Sequence, residues 1–133
     1  DIDAALREKT IAVVGLSSNP TRPSHDVAHV MQRRGYRIVP INPRETRVLD
    51  EPCYPDLATA AAATGPIRLV NVFRESNAVP AIAREAVNIG AQFLWLQLGV
   101  FSAEGIQIAE AGGMTCIVDR CLKVEHLRRN ARS

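Results

Sequence analysis

Short apolar runs rich in β-branched residues alternate along this chain with segments of helical periodicity. Such alternation is typical of βαβ units, in which parallel strands are connected by helices that cover the sheet. The first run, Thr10 to Val14, is apolar at nearly every position, as expected of a parallel strand covered on both faces. The sequence therefore predicts a three-layer α/β fold with a parallel five-stranded sheet and helices on both faces.

The patterns place five strands and five helices along the chain. The predicted strands are Thr10 to Val14, Tyr36 to Ile41, Ile67 to Phe73, Gln92 to Leu98 and Met114 to Val118. The predicted helices are Ser24 to Arg34, Asp56 to Ala63, Ser76 to Asn88, Ser102 to Ala111 and Leu122 to Arg129. We expect Ser24 to be the N-cap of its helix, because a serine hydroxyl can accept from a first-turn N–H. Residues 44–55 are polar and irregular, with one short extended piece expected near Cys53 and Tyr54.

Length and composition predict one folded domain over residues 1–133. The chain is 47% apolar and 23% charged, which is typical of soluble globular proteins. Its net charge of +2 is too small to predict nucleic-acid binding by electrostatics alone. No apolar run approaches the roughly 18 residues of a membrane span. The first residues do not resemble a signal peptide. We therefore expect a cytoplasmic protein without a membrane partner.

The three cysteines and three histidines are dispersed along the chain. The cysteines form no C-x-x-C pair, so neither a disulfide framework nor a zinc site is expected. His25 and His29 can share a helix face, but no cysteine or carboxylate completes a metal set. The sequence predicts reduced thiols and no metal site.

Polar residues follow each predicted strand. In open parallel α/β sheets, ligands bind outside the carboxyl ends of the strands, where connections on either side diverge. The strand-end segments are Gly15 to Arg22, Asn42 to Arg44, Phe73 to Arg74, Gln97 to Gly99 and Asp119 to Cys121. We expect the ligand site among these segments.

The loop after the first strand has the outline of a phosphate-binding turn. Gly15 would let a ligand approach the backbone, and Ser17, Ser18 and Asn19 can donate to phosphate oxygens. The following helix N-terminus favours anions, and Arg22 can add a guanidinium. Gly15 is the only glycine of this segment, so the G-x-G-x-x-G and G-x-x-x-x-G-K-S/T motifs are both absent. An ordinary capped loop is the alternative interpretation.

The second and third strand ends narrow the class of ligand. Enzymes that bind NAD usually place Asp or Glu at the end of the second strand, whereas this chain has Asn42, Pro43 and Arg44. The absence of an acid there favours a ligand with a phosphate on its adenosine ribose, as in NADP and coenzyme A (CoA). Arg74, after the third strand, is a further candidate for phosphate contact, although it can also pair with Glu75.

A cysteine follows the fifth strand. Arg120 and a helix N-terminus could lower the pKa of the Cys121 thiol, but an Asp119–Arg120 pair beside an inert thiol is equally consistent with the sequence. His126 lies five residues further along the predicted helix, a spacing that does not set the two side chains face to face. No catalytic residue is predicted from these patterns.

These segments together resemble the small single-domain CoA-binding proteins, which are similar to the amino-terminal CoA-binding domain of the succinyl-CoA synthetase alpha subunit. The resemblance rests on Val13 to Ser17 with Pro20 and Arg22 to Ser24, Gly35 to Pro43, Val72 to Arg74, Trp95 to Gly99, and Asp119 to Cys121. It covers nearly the whole chain. One departure lies at residues 48–52, where such proteins more often have a glycine-containing turn.

The resemblance implies a Rossmann-like domain in which the CoA pyrophosphate and adenosine lie across the carboxyl ends of the strands. It assigns ligand contact to ten residues: Gly15, Ser17, Asn19, Arg22, Asn42, Pro43, Phe73, Arg74, Gln97 and Gly99. It also implies CoA or acyl-CoA as the ligand. Ligase activity by this chain alone is not expected, because 133 residues leave no room for the synthetase's phosphohistidine domain.

Three classes of function remain open at this point. We expect a non-catalytic carrier, sensor or regulatory module that binds CoA or acyl-CoA. The alternative is an enzyme, either an NADP-dependent oxidoreductase or an acyl-CoA enzyme with Cys121 as nucleophile. The third class is a structural partner of a synthetase-like complex, so a protein partner is compatible with the sequence but not identified by it.

Overall fold

A computed structural model describes residues 1–131. Its elements in chain order are α1 (Ile2–Leu6), β1 (Thr10–Val14), α2 (Pro23–Arg33), β2 (Arg37–Ile41), β3 (Arg47–Val48), β4 (Glu51–Pro52), α3 (Leu57–Thr64), β5 (Leu69–Val72), α4 (Val79–Asn88), β6 (Phe93–Leu96), α5 (Ala103–Ala111), β7 (Thr115–Val118) and α6 (Leu122–Asn130). A short 3₁₀ turn, Ser76–Ala78, precedes α4.

Five strands form a parallel sheet in the order β2-β1-β5-β6-β7. Val14 at the end of β1 is in register with Ile41 of β2 and with Val72 of β5. The carboxyl ends of these three strands are therefore level. The chain leaves β1 for β2 on one side and then crosses to β5 on the other, so the connections diverge between β1 and β5. This is the switch point at which α/β folds of this kind bind ligands.

Helices cover both faces of the sheet. On one face α1, α2 and α6 pack against inward side chains such as Ile11 and Val13. On the other face α3, α4 and α5 pack against Ala12 and Val14. Successive residues of β1 are thus buried on opposite faces, which explains why the strand is apolar at almost every position. The predicted three-layer, Rossmann-like α/β fold with a parallel five-stranded sheet is confirmed.

Several element boundaries differ from the sequence predictions. The first helix, α1, was not predicted, because five residues give too little periodicity to recognise. Ser24 is not an N-cap: Arg22 occupies the N-cap position of α2 without a side-chain hydrogen bond to the helix, and Pro23 occupies the first turn, where its missing N–H costs nothing. The expected extended piece near Cys53 and Tyr54 is present as β4 and as a bridge from Tyr54 to Ile41.

The β3–β4 hairpin contains residues 48–52, where the CoA-binding proteins that this chain resembles more often have a glycine-containing turn. Leu49 has φ of 54° and Asp50 has φ of 62°, which lie in the left-handed region that glycine adopts most readily. The Gln32 side chain donates to the Leu49 carbonyl at 2.9 Å and ties the turn to α2. The hairpin therefore forms without glycine, at a local conformational cost.

Candidate functional site

A groove of about 770 Å³ opens at the carboxyl ends of β1, β2 and β5. It lies at the switch point between β1 and β5. Seven of the ten predicted contact residues line it: Gly15, Ser17, Arg22, Asn42, Pro43, Phe73 and Arg74. The structure therefore brings together residues that lie up to 59 positions apart along the chain.

Gly15 forms the closest backbone approach in this groove. Its φ is +88°, and a Cβ there would lie 2.9 Å from the Phe73 carbonyl oxygen and 3.0 Å from Arg74 Cδ. The Gly15 N–H donates to the Ile41 carbonyl at 2.8 Å, and the Phe73 N–H donates to Val14 at 2.9 Å. These bonds hold the ends of β2, β1 and β5 together. Any larger residue at position 15 must push the β5 end away.

The loop after β1 satisfies much of its own hydrogen-bonding capacity. Its internal N–H bonds run from Ser17 to Ser24 Oγ (3.1 Å), from Asn19 to Ser17 Oγ (3.0 Å), from Thr21 to Asn19 Oδ1 (3.0 Å) and from Arg22 to the Asn19 carbonyl (3.0 Å). Ser24 therefore fixes the loop rather than capping α2. The Asn19 side chain accepts a hydrogen bond within the loop, and Asn19 does not line the groove.

Ser18 is held by an acid from another part of the chain. Its backbone N–H and its hydroxyl both donate to Glu45 Oε2, at 2.9 Å and 2.8 Å. These bonds lower the pKa of the Glu45 carboxyl, with the backbone N–H as the larger cause. Glu45 lines the groove and follows β2 by four residues. Sequence reasoning missed it, because only Asn42 to Arg44 were considered at that strand end.

Three arginines from three different strand ends face the groove: Arg22, Arg44 and Arg74. Arg74 pairs with Glu75 at 2.8 Å, which raises the pKa of Arg74 and lowers that of Glu75 to about 2. Both side chains are substantially exposed, so this pair contributes little to stability. Within residues 1–131, Arg22 and Arg44 form no ion pair. The arrangement suits a ligand with more than one anionic group.

Asn42 joins the end of β2 to the loop after β1. Its Nδ2 donates to the Leu16 carbonyl at 3.0 Å, and its Oδ1 accepts from the Arg44 N–H at 2.9 Å. Cys53 lies beneath it, with Sγ 3.5 Å from the Asn42 carbonyl, and burial raises the pKa of that thiol. Asn42 therefore shapes the groove wall and leaves little side-chain capacity for a ligand.

The far wall of the groove comes from α3 and α4. Asp56 caps α3 by accepting from the Thr59 N–H at 2.8 Å, which lowers the pKa of Asp56. Glu85 Oε1 accepts from the Leu57 N–H at 3.2 Å. The buried apolar residues Leu57 and Ile82 also border the groove here. Sequence reasoning assigned none of these residues to the site, since the two helices start far apart along the chain.

Gln97 and Gly99 do not line the groove. Gln97 is 5% exposed, and its Oε1 accepts from the Leu122 N–H at 2.9 Å and from Asn71 Nδ2 at 3.2 Å. The Gly99 N–H donates to Asp119 Oδ1 at 3.1 Å. Both residues join the end of β6 to the segment that leads into α6.

Neither Cys121 nor the histidines form a reactive or metal-binding cluster in the part of the chain that the structure describes. Cys121 is the N-cap position of α6. His126 faces away from it: Nε2 accepts from Arg34 Nε at 3.1 Å, and Nδ1 is 3.4 Å from the Tyr36 hydroxyl. Burial, with Arg34 and Lys9 nearby, lowers the pKa of His126.

Comparison with known proteins identifies the family. Residues 9–127 match the protein family described as "CoA binding domain". The chain belongs to this family. The resemblance predicted from the strand-end motifs is thereby confirmed. Among residues 1–131, no helix is long and apolar enough to cross a membrane.

Three similar proteins illustrate the range of this family and fold. YneT of Bacillus subtilis is 42% identical over 120 residues, which are 90% of this chain and 87% of YneT. A hypothetical protein from Pyrococcus horikoshii is 28% identical, with a TM-score of 0.89 over 95% of this chain and 87% of its own. A dinucleotide-forming acetyl-coenzyme A synthetase from Ca. Korarchaeum cryptofilum shares the fold, with 18% identity and a TM-score of 0.72 over 87% of this chain and 27% of its own.

Proposed function

We propose that this protein binds CoA or acyl-CoA in the groove between the ends of β1 and β5. The proposal is carried by the convergence of Arg22, Arg44 and Arg74 on one groove in a member of a CoA-binding family. CoA carries a pyrophosphate and a ribose phosphate, so it offers several anionic groups to several guanidiniums. Arg side chains suit phosphate because their planar forks donate two parallel hydrogen bonds.

The walls of the groove support this mode of binding. The pyrophosphate would lie over Gly15, where the absence of a side chain lets a ligand reach the backbone. Arg74 would exchange its exposed partner Glu75 for a phosphate. Phe73, which is partly exposed at the groove, supplies apolar surface for the adenine or the pantetheine chain. The ligand would thus span the same strand ends that the sequence singled out.

We further propose a carrier, sensor or regulatory role without catalysis. Burial raises the pKa of Cys53 and raises that of Cys116 to about 11, which keeps both thiols protonated near neutral pH. The two ring nitrogens of His126 face Arg34 and Tyr36 rather than the groove. These environments do not suit Cys53, Cys116 or His126 to nucleophilic or acid–base chemistry, and the turnover measurement below tests Cys121.

Calorimetric titration with CoA, acetyl-CoA, NADP and NAD tests the proposal. We expect CoA and acetyl-CoA to bind with similar affinity and NAD to bind much more weakly. Binding of NADP without a response to CoA would overturn it in favour of an oxidoreductase. Turnover of an acyl-CoA during the titration, detected as free thiol, would show that the protein is an enzyme rather than a carrier.

A further inference from the structure

Ser18 adjoins the groove-lining residue Ser17, and both of its hydrogen-bond donors are held by Glu45, which lines the groove itself. The Ser18 N–H and hydroxyl converge on one carboxylate oxygen, Oε2, at 2.9 Å and 2.8 Å. A backbone N–H and an adjacent hydroxyl that meet at a single charged oxygen are a common arrangement around a phosphate oxygen. In this structure a carboxylate of the chain itself fills that role.

The Glu45 bond differs from the other hydrogen bonds of this loop. The remaining acceptors, Ser17 Oγ, Asn19 Oδ1, the Asn19 carbonyl and Ser24 Oγ, lie within the loop or in the helix that it enters. They are neutral, and all belong to the loop itself or to the first turn of α2. Glu45 reaches Ser18 across 27 residues, carries a charge and is in contact with solvent. It is therefore the acceptor that can be exchanged.

The backbone beside Glu45 stays anchored when its side chain moves. The Glu45 N–H donates to the Asn42 carbonyl at 3.2 Å, and the Asn42 side chain is itself bonded to Leu16 and to the Arg44 N–H. A rotation about the side-chain bonds of Glu45 thus frees Ser18 without disturbing the end of β2. Both bonds are exposed, so water can take the place of the carboxylate as acceptor when Glu45 turns away.

We propose that Glu45 competes with the phosphate groups of the ligand for the two Ser18 donors and thereby lowers the affinity of the groove for phosphate ligands. This inference rests on the proposed binding of CoA in the groove. A phosphate gains both Ser18 donors only when the carboxylate leaves, and the displaced carboxylate then lies near the incoming charge. Glu45 therefore weakens the binding of every phosphate ligand.

Glu45→Gln separates this role from a structural one. The glutamine keeps an oxygen that can accept from Ser18 and removes only the charge. Its matched control is Glu104→Gln, which neutralises an exposed acid that pairs with Arg84 at 3.5 Å outside the groove. We expect Glu45→Gln to tighten CoA binding about three- to tenfold, the effect of removing one like charge near a solvated phosphate. Glu104→Gln should leave the affinity within about twofold.

Two results would overturn the inference. Weaker or unchanged CoA binding by Glu45→Gln would show that the carboxylate supports the site or contacts the ligand directly. The second readout uses inorganic pyrophosphate and the amide resonance of Ser18. A shift of that resonance at lower pyrophosphate concentration in Glu45→Gln than in the wild type supports competition, whereas no shift in either protein refutes it. The pyrophosphate measurement can be made even if CoA itself does not bind, so a failure of the Glu45 proposal can be distinguished from a failure of the proposed CoA binding.

Discussion

Gly15 and Arg74 pack directly against each other across the crevice between β1 and β5. A Cβ at position 15 would lie 3.0 Å from Arg74 Cδ, and the Phe73 carbonyl oxygen would be nearer still at 2.9 Å. The contact joins two residues that line the groove and that we propose as ligand contacts. The geometry of the groove therefore depends on a missing side chain.

Gly15→Ala tests this dependence. We expect it to lower the free energy of unfolding by about 2–4 kcal/mol, because left-handed backbone strain adds to a steric clash with β5. Gly35→Ala is the matched control: Gly35 has φ of +98°, but nothing lies within 4 Å of its added Cβ. It should cost only about 1–2 kcal/mol. Urea unfolding of both variants measures the difference, and equal losses would contradict a close approach at Gly15.

Arg74→Ala tests phosphate contact. We expect CoA binding to weaken by about 1–3 kcal/mol, the usual contribution of a charge-assisted hydrogen bond. Arg84→Ala breaks a comparable exposed pair, Arg84–Glu104, away from the groove and should leave the affinity unchanged. Calorimetry with CoA measures both variants. Unchanged binding by Arg74→Ala would remove this residue from the site.

Gln97→Ala distinguishes a structural residue from a ligand contact. Its loss leaves the Leu122 N–H and the Asn71 amide without their shared acceptor, and Asn71 Oδ1 is already buried without a partner. We expect a loss of about 1–3 kcal/mol in unfolding free energy, with CoA affinity nearly unchanged. Gln107→Ala, on the exposed face of α5, is the control for stability. A loss of CoA affinity at unchanged stability would place Gln97 in the binding site.

Stability should fall as the pH is lowered below the ordinary pKa of histidine. His126 has a lowered pKa in the folded protein, so between its folded and unfolded pKa values the unfolded chain binds more protons. Its stabilising effect is complete above pH about 6.5 and is lost as the pH falls toward the folded pKa. Protonation would place a cation against Arg34 and near Lys9.

Thermal unfolding at pH 7.5 and 5.5 measures this effect. The midpoint should fall at the lower pH in the wild type, and His126→Gln should reduce that fall. His29→Gln is the control, since His29 is exposed on α2. An unchanged pH dependence in His126→Gln would assign the effect to other groups.

The fold was largely predictable because burial on both faces leaves a local signature. Thr10–Val14 is apolar at every position after the threonine, and its predicted bounds match β1. Ser102 was correctly placed at the start of a helix, where its Oγ accepts from the Gly105 N–H at 2.9 Å. The predicted strand Gln92 to Leu98 extended too far, because β6 ends at Leu96. The residues at the end of a strand do not indicate where its last backbone hydrogen bond to the neighbouring strand is made, so the final residue of the strand is hard to predict.

The site was only partly predictable, because strand-end position does not fix side-chain direction. Gln97 follows β6 as Arg74 follows β5, yet the Gln97 side chain is buried against the start of α6. Glu45 is the reverse case, a groove residue that the sequence did not predict. It lies outside the strand-end segments, but its side chain bonds to Ser18, 27 residues away in the sequence. Contacts between residues far apart in the sequence cannot be read from the sequence, since the length of a loop does not determine where its side chains lie in space.

The sequence by itself determined the parallel sheet, the strand ends that meet at one edge and the CoA-binding family. Local apolar runs and short motifs carry that information, because each depends on neighbouring residues alone. Only the tertiary structure decided which polar residues share the groove. Strand order places Arg22, Arg44 and Arg74 around one groove, whereas Gln97 is buried against the start of α6. The same packing brings the carboxylate of Glu45 to Ser18, a contact that depends on how the ends of β1 and β2 are joined in space.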